Sequence, residues 1–180
     1  MKIALTSPYD FSRPSGVNNH ILGLAKELLK LKHQVKIIGP SSQNFKENNF
    51  LSTGKPFPLP SGGSIAHISV NPFSISKTKS QIEKENFEII HLHEPFAGII
   101  QPSIIKNSDS INIATFHSFK GTSLYRFGFA NFFKPYFEKI HSSIAVSKPA
   151  EEFISKYFPG KYQIIPNGIH IDLYKNNKYE

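Results

Sequence analysis

Apolar positions along the chain follow two alternating rhythms. Short apolar runs lie at Ile3-Ala-Leu5, Gln34 to Pro40, Glu88 to His93, Ile111 to Phe116, Ser143 to Val146 and Gln163 to Ile165. Each is the length of a strand. Between them, apolar residues recur three and four positions apart, the spacing of a helix with one buried face. Val17, Ile21, Leu24, Leu28 and Leu31 set this stripe first, widened by Leu22, Ala25 and Leu29. The same spacing predicts helices over Ser76 to Glu85 and Pro95 to Lys106. Ser147 as N-cap and Pro149 in the first turn predict another over Ala150 to Phe158.

Two stretches break the alternation. Phe50 to Ser69 carries Gly54, Pro56, Pro58, Pro60, Gly62 and Gly63. Proline at alternate positions cannot sit in a central ladder, so Lys55 to Pro60 is an edge or a loop. Ser64 to Val70 alternates and reads as a strand, while Ser41 to Asn49 is polar and reads as a surface loop. Thr122 to Ile140 is crowded with Phe and Tyr. Strands that are continuous apolar runs and alternate with helices predict an α/β fold. Its sheet is doubly wound and mainly parallel, with helices on both faces.

Composition narrows the classes. The 180 residues suffice for one hydrophobic core, and 39% apolar with 19% charged residues fits a globular domain. The apolar runs are too short to span a bilayer. Met-Lys leading straight into a core strand leaves no room for a signal peptide. The absence of cysteine excludes disulfides and thiolate metal sites. A net charge of +8 favours anionic partners such as nucleic acid, sugar nucleotides or acidic lipid headgroups. The basic residues are mostly scattered Lys, with only Arg13 and Arg126 as arginines, and no nucleic-acid-binding motif occurs. Nucleic acid is therefore not an expected partner.

In a doubly wound sheet, ligands bind beyond the carboxyl ends of the strands. The first strand delivers Tyr9, Asp10 and Gly16 there, with Gly16 opening a helix whose free N–H groups suit an anion. No G-x-G-x-x-G and no G-K-[ST] is present, so Gly16 could equally be only the start of that helix. A later strand delivers His91, His93 and Glu94, the next His117 and Ser118, and another ends at Ser147. His91 and His93 share a face, a spacing seen in metal sites, with Glu94 or His117 as a third ligand. Strand-end histidines also commonly bond a backbone carbonyl. Glu94-Pro95 could instead start a helix, its carboxylate taking first-turn amides. His117 lies over the crevice, where its neutral ring suits a sugar hydroxyl or a phosphate. Ser147 has no flanking glycines, so no nucleophile elbow is present.

Six motifs together carry a resemblance. Pro8-Tyr-x-Phe, Pro14-Ser-Gly-Val17 with His20, and His91-x-His-Glu-Pro95 come first. Ala114-Thr-Phe-His117, Ile144-Ala-Val-Ser147 and Ile165-Pro-Asn-Gly-Ile169 follow in the same order and spacing. Over residues 2 to 174 they resemble the N-terminal half of retaining GT-B glycosyltransferases of the glycosyl transferases group 1 family. Within it they are most similar to phosphatidylinositol mannosyltransferases, which use GDP-mannose at the cytoplasmic membrane face. The resemblance implies a Rossmann-like acceptor-binding domain over residues 1–168, and the start of an interdomain linker over 169–180. A donor-binding domain would follow it as the chain's own partner. It implies transfer of a hexose such as mannose from a GDP- or UDP-hexose to a lipid or sugar acceptor, such as a phosphatidylinositol-like glycolipid. It further implies no cofactor and no metal, and a cytoplasmic protein peripheral to an anionic membrane surface.

By the same resemblance His117 faces the transferring sugar, and Gly16 and Ser15 lie beside the donor diphosphate. Tyr9, Asn18, His20 and Ser118 then belong to the acceptor side. Ser15 stands where the family usually has a first glycine, Phe96 and Ala97 where the inositol enzymes have a polar residue, and Phe119 alters the loop after Ser118. Alone, the chain is expected to fold but to transfer no sugar.

Overall fold

A computed structural model describes residues 1–43, 45, 48–61, 64–119 and 130–168. The chain runs β1 (Lys2–Thr6), α1 (Gly16–Lys30), β2 (Gln34–Gly39), β3 (Phe50–Ser52), β4 (Phe57–Ser61) and β5 (Ser64–Ile68). It continues α2 (Phe73–Glu85), β6 (Ile89–His93), α3 (Ile100–Asn107), β7 (Ile111–Phe116) and α4 (Ala130–Phe137). The last described elements are β8 (Ser142–Ala145), α5 (Lys148–Ile154) and β9 (Tyr162–Ile164).

Seven strands form one sheet in the order β3-β2-β1-β6-β7-β8-β9. Every pairing in it is parallel. The strand alternation divides the core, because successive side chains leave opposite faces of a sheet. Ile3, Leu5, Val35 and Ile37 pack with Ile21 and Ala25 of α1 on one face. Ala4, Ile38, Ile90, Leu92, Ala114 and Phe116 pack on the other, where residues of α2, α3, α4 and α5 join them. A sheet buried on both faces explains why its strands read as unbroken apolar runs. The expected doubly wound α/β fold is the one observed.

Chain order reverses between β1 and β6, whose register pairs Thr6 with Leu92. This is the switch point at which such sheets open a crevice. Gln101 of α3, 1% exposed, spans it. Its amide oxygen accepts from Thr6 Oγ1 at 3.1 Å, and its nitrogen donates to the His93 carbonyl at 3.0 Å.

Several expectations shift. Phe50–Ser52, unassigned from sequence, is a parallel edge strand beside β2. The Pro-rich stretch and Ser64 to Ile68 leave the main sheet altogether and pair as a separate antiparallel hairpin. Pro58 and Pro60 are tolerated because both hairpin strands are edges. The hairpin folds back over the loop after β1, bridging Ile68 to Tyr9 and accepting the Asp10 N–H on the His67 carbonyl at 3.0 Å. The helix expected from Pro95 begins only at Ile100, because Glu94 (φ 50°) and Gly98 (φ 86°) adopt left-handed backbone conformations. A Cβ on Gly98 would lie 2.9 Å from the Ser69 carbonyl oxygen, so the turn also requires glycine for space. Of the aromatic stretch, residues 122–129 lie outside the described residues, and Ala130–Phe137 is helical.

Candidate functional site

The loop between β1 and α1 is held by buried hydrogen bonds. Asp10, 2% exposed, accepts from the Ser12 N–H at 2.9 Å, the Ser42 N–H at 3.0 Å and Ser42 Oγ at 2.7 Å. Burial pushes the Asp10 carboxyl up, but these hydrogen bonds prevail and hold it below the usual range. Arg13 Nε lies 3.5 Å from the same carboxylate with its side chain 60% exposed. Asn18 completes the loop. Its Oδ1 accepts from Ser7 Oγ at 2.7 Å, and its Nδ2 donates to the Asp10 carbonyl at 2.9 Å. Ser15 caps α1, its hydroxyl accepting the Asn18 N–H at 3.0 Å. Apart from its chain neighbours and its own helix backbone, no atom of the described residues lies within 4 Å of where a Cβ on Gly16 would sit, so the space before the helix is open.

Across the switch point, Glu94 makes a second clamp. It is 6% exposed, and its Oε1 accepts the His117 N–H at 2.6 Å and the Ser118 N–H at 2.7 Å. The carboxylate therefore binds the turn after β7, not the first-turn amides of its own helix as one sequence reading had it. Burial pushes its pKa up despite those bonds. The Tyr9 phenol is pushed well up too, by burial and then by the Glu94 charge.

Behind this clamp lie four histidines. His93 is 0% exposed, and its Nδ1 lies 3.0 Å from His117 Nε2. The His91 ring stacks on His93 at 4.4 Å, and its Nε2 bonds Thr115 Oγ1 at 2.7 Å. His20 of α1 meets His93 and His117 edge-on at 5.4 and 5.5 Å. Burial lowers the pKa of all four, His91 to about 4 and His117 to about 3. The rings are neutral at pH 7, so each can both donate and accept. Among the described residues, no three His, Cys, Asp or Glu side chains are placed to share a metal ion.

A cavity of about 750 Å³ opens between these parts. Tyr9, Ser15, Gly16, His117 and Ser118, all singled out from sequence, line it. His20 stands behind His117, and Asn18 is 2% exposed with its amide spent on the loop. Arg13, Phe119, and Ile65 to His67 of the hairpin line it as well. Sequence reading missed the hairpin wall because the β5 pattern gives no sign that it folds over the β1 loop. The cavity offers hydroxyl partners, neutral imidazoles, one guanidinium and a helix start, a set suited to polyols and anions.

Fold and site define a doubly wound α/β domain with a polar ligand cleft at the carboxyl edge of its sheet. The chain belongs to Glycosyltransferase Family 4, whose family model matches residues 14–173. It is 33% identical over 172 residues to a phosphatidyl-myo-inositol mannosyltransferase of Mycolicibacterium smegmatis, covering 95% of this chain and 45% of that one. A Propionibacterium freudenreichii protein of the same name is 34% identical over 180 residues, with 95% and 47% covered. The chain thus spans about half the length of the curated relatives it matches. A glycosyltransferase from Rickettsia africae shares the fold, with TM-score 0.67, 20% identity, and 97% and 45% of the two chains covered. So does Anabaena HepE, solved with UDP and glucose, with TM-score 0.67, 16% identity, and 97% and 46% covered. Among the described residues no helix is long and apolar enough to cross a membrane.

Proposed function

We propose that this chain is the acceptor-side domain of a retaining glycosyltransferase that moves a hexose, such as mannose, from a nucleotide sugar to a lipid-linked acceptor. The supporting observation is the cavity in which the start of α1, open at Gly16, faces His117 across the switch point. A diphosphate at the helix start would be stabilised by its free amides and dipole as the glycosidic bond breaks. His117 would hold a hydroxyl of the transferring sugar, and Tyr9 and Ser118 would meet the acceptor. A second, donor-binding domain would close over the cavity and supply most of the nucleotide contacts. The mannosyltransferase relatives favour a phosphatidylinositol-like acceptor, and the formal charge of +8 favours an anionic membrane surface.

The test is sugar transfer by the full-length protein, using radiolabelled GDP-mannose and UDP-glucose in turn. Acceptors are phosphatidylinositol vesicles or free inositol and soluble sugars. Label in the lipid fraction, released as one anomer with the donor's configuration, is the expected result. Label only on soluble acceptors would replace the lipid reading with a same-fold enzyme of soluble substrates. No transfer from either donor would leave a non-enzymatic binding module. The 180-residue chain alone should turn over neither donor.

A further inference from the structure

Each neutral imidazole carries one N–H and one bare nitrogen. His93 Nδ1 and His117 Nε2 lie 3.0 Å apart, so exactly one of them donates. The two outer nitrogens, His93 Nε2 and His117 Nδ1, are buried and have no partner among the described residues. Whichever ring donates inward, the other carries its N–H on an outer nitrogen. The pair therefore has two tautomeric arrangements, and they differ in what His117 can offer a ligand.

An unpaired buried N–H is rarer and costlier than an unpaired lone pair. Both outer nitrogens are covered, but His93 is 0% exposed as a whole residue, whereas His117 is only half-buried in the cavity wall, so a small turn of its ring can bring Nδ1 to a ligand. The arrangement that keeps an orphan N–H off His93 has His93 Nδ1–H donating to His117 Nε2. His117 then carries its own proton on Nδ1. We infer that His93 is a positioning residue, fixing through this bond the orientation and tautomer in which His117 holds an Nδ1–H for a ligand oxygen. The sugar hydroxyl as that oxygen rests on the function proposed above. The tautomer does not.

The surrounding groups support a single proton between the rings. His91 stacks on one face of His93 and bonds Thr115, while His20 packs edge-on against both members of the pair. Among the described residues, the carboxylate bonded to this turn is Glu94, which spends Oε1 on the His117 and Ser118 N–H groups. Burial opposes charging either ring.

The test is long-range proton–nitrogen correlation NMR on the ¹⁵N-labelled 180-residue chain at pH 7, which reads the tautomer of each imidazole. Both His93 and His117 are expected as Nδ1–H. His93→Asn places an amide donor near the position of Nδ1, and His117 should stay Nδ1–H in it. In His93→Leu, His117 should become a mixture of tautomers while His141, whose Nδ1 accepts the Asn112 N–H at 3.1 Å outside the cluster, keeps its signal and reports an intact fold. Finding His117 as Nε2–H in the unaltered chain, or unmoved by His93→Leu, overturns the inference. In the full-length enzyme, His93→Leu should lower kcat about tenfold, the worth of one neutral hydrogen bond. His93→Asn should recover most of that loss, and a rise in KM for the donor in His93→Leu should be reversed in His93→Asn, since the hydroxyl held by His117 is bound before as well as during transfer. Equal losses in the Asn and Leu variants would also refute the inference. Absence of transfer by the unaltered protein would refute the proposed function, while the NMR result would still decide the tautomer.

Discussion

Glu94→Ala removes one side chain and leaves two buried N–H groups unpaired, those of His117 and Ser118. Leaving a buried donor unsatisfied costs about 1–3 kcal/mol. Two together cost roughly 2–6 kcal/mol, set against the desolvation that a buried carboxylate no longer suffers. The sum is a loss of about 2–4 kcal/mol, or roughly 4–16 °C in Tm for a domain of this size. Glu94→Gln behaves differently, because an amide oxygen can still accept both N–H groups. Its effect is one of pH. The folded pKa of Glu94 is raised by burial, so the folded state holds this proton more tightly than the unfolded chain. Stability from Glu94 is then complete below its unfolded pKa and is lost as pH rises through the folded one. Relative to Glu94→Gln, the native chain should therefore lose stability from about pH 4.5 upward. Thermal unfolding followed by circular dichroism from pH 4 to 8, on all three chains, measures both effects. A Glu94→Ala chain within 1 °C of native would refute the clamp, as would Gln and Ala variants that are equally damaged.

Gly16→Ala should leave Tm unchanged or slightly raised, since a Cβ there meets nothing and alanine favours helix. In the full-length enzyme it should raise KM for the nucleotide sugar, and unaltered donor kinetics would remove the diphosphate from this end of α1. His117→Ala should cut turnover by about 10²-fold or more while lowering Tm by only roughly 2–6 °C, the worth of one lost imidazole bond. An equal collapse of folding would make it a structural histidine. Burial depresses His20, His91, His93 and His117, so the unfolded chain binds more protons than the folded one below about pH 6.5. Stability should fall as pH drops from there through the folded values near 4 and 3 for His91 and His117, and a flat profile in denaturant titrations would contradict their burial.

The main sheet was legible because its strands are buried on both faces, which writes them into the sequence as apolar runs. Ser147 read correctly as a helix start for a local reason, since a cap bonds an amide three residues on; Ser15 caps α1 in the same way, although only Gly16 was read as opening that helix. What failed was non-local. Nothing within Phe50–Ser52 announces a partner in β2, and alternation in Ser64 to Ile68 does not say which strand it joins. The start of α3 was misplaced for another reason. Apolar spacing continues smoothly through Phe96 and Ile99, while the left-handed turn at Glu94 is imposed by bonds to residues more than twenty positions away.

That distant bond explains what was and was not readable in the site. Residues that reach the cavity from strand ends, Tyr9, Gly16, His117 and Ser118, can be found by asking where strands stop. Residues that hold those in place are chosen by contacts across the switch point, and a single chain gives no periodic sign of them. Glu94 looks like a helix cap, Gln101 like one polar residue in an apolar helix, and His93 like half of a metal pair. In the structure Gln101 ties β1 to β6, Glu94 fixes the turn that carries His117, and His93 meets its ring. All three lie on the stretch from β6 through α3, and they act on groups delivered by β1, β6 and β7. A change in any of them should therefore disturb the geometry of the cleft before it unfolds the sheet.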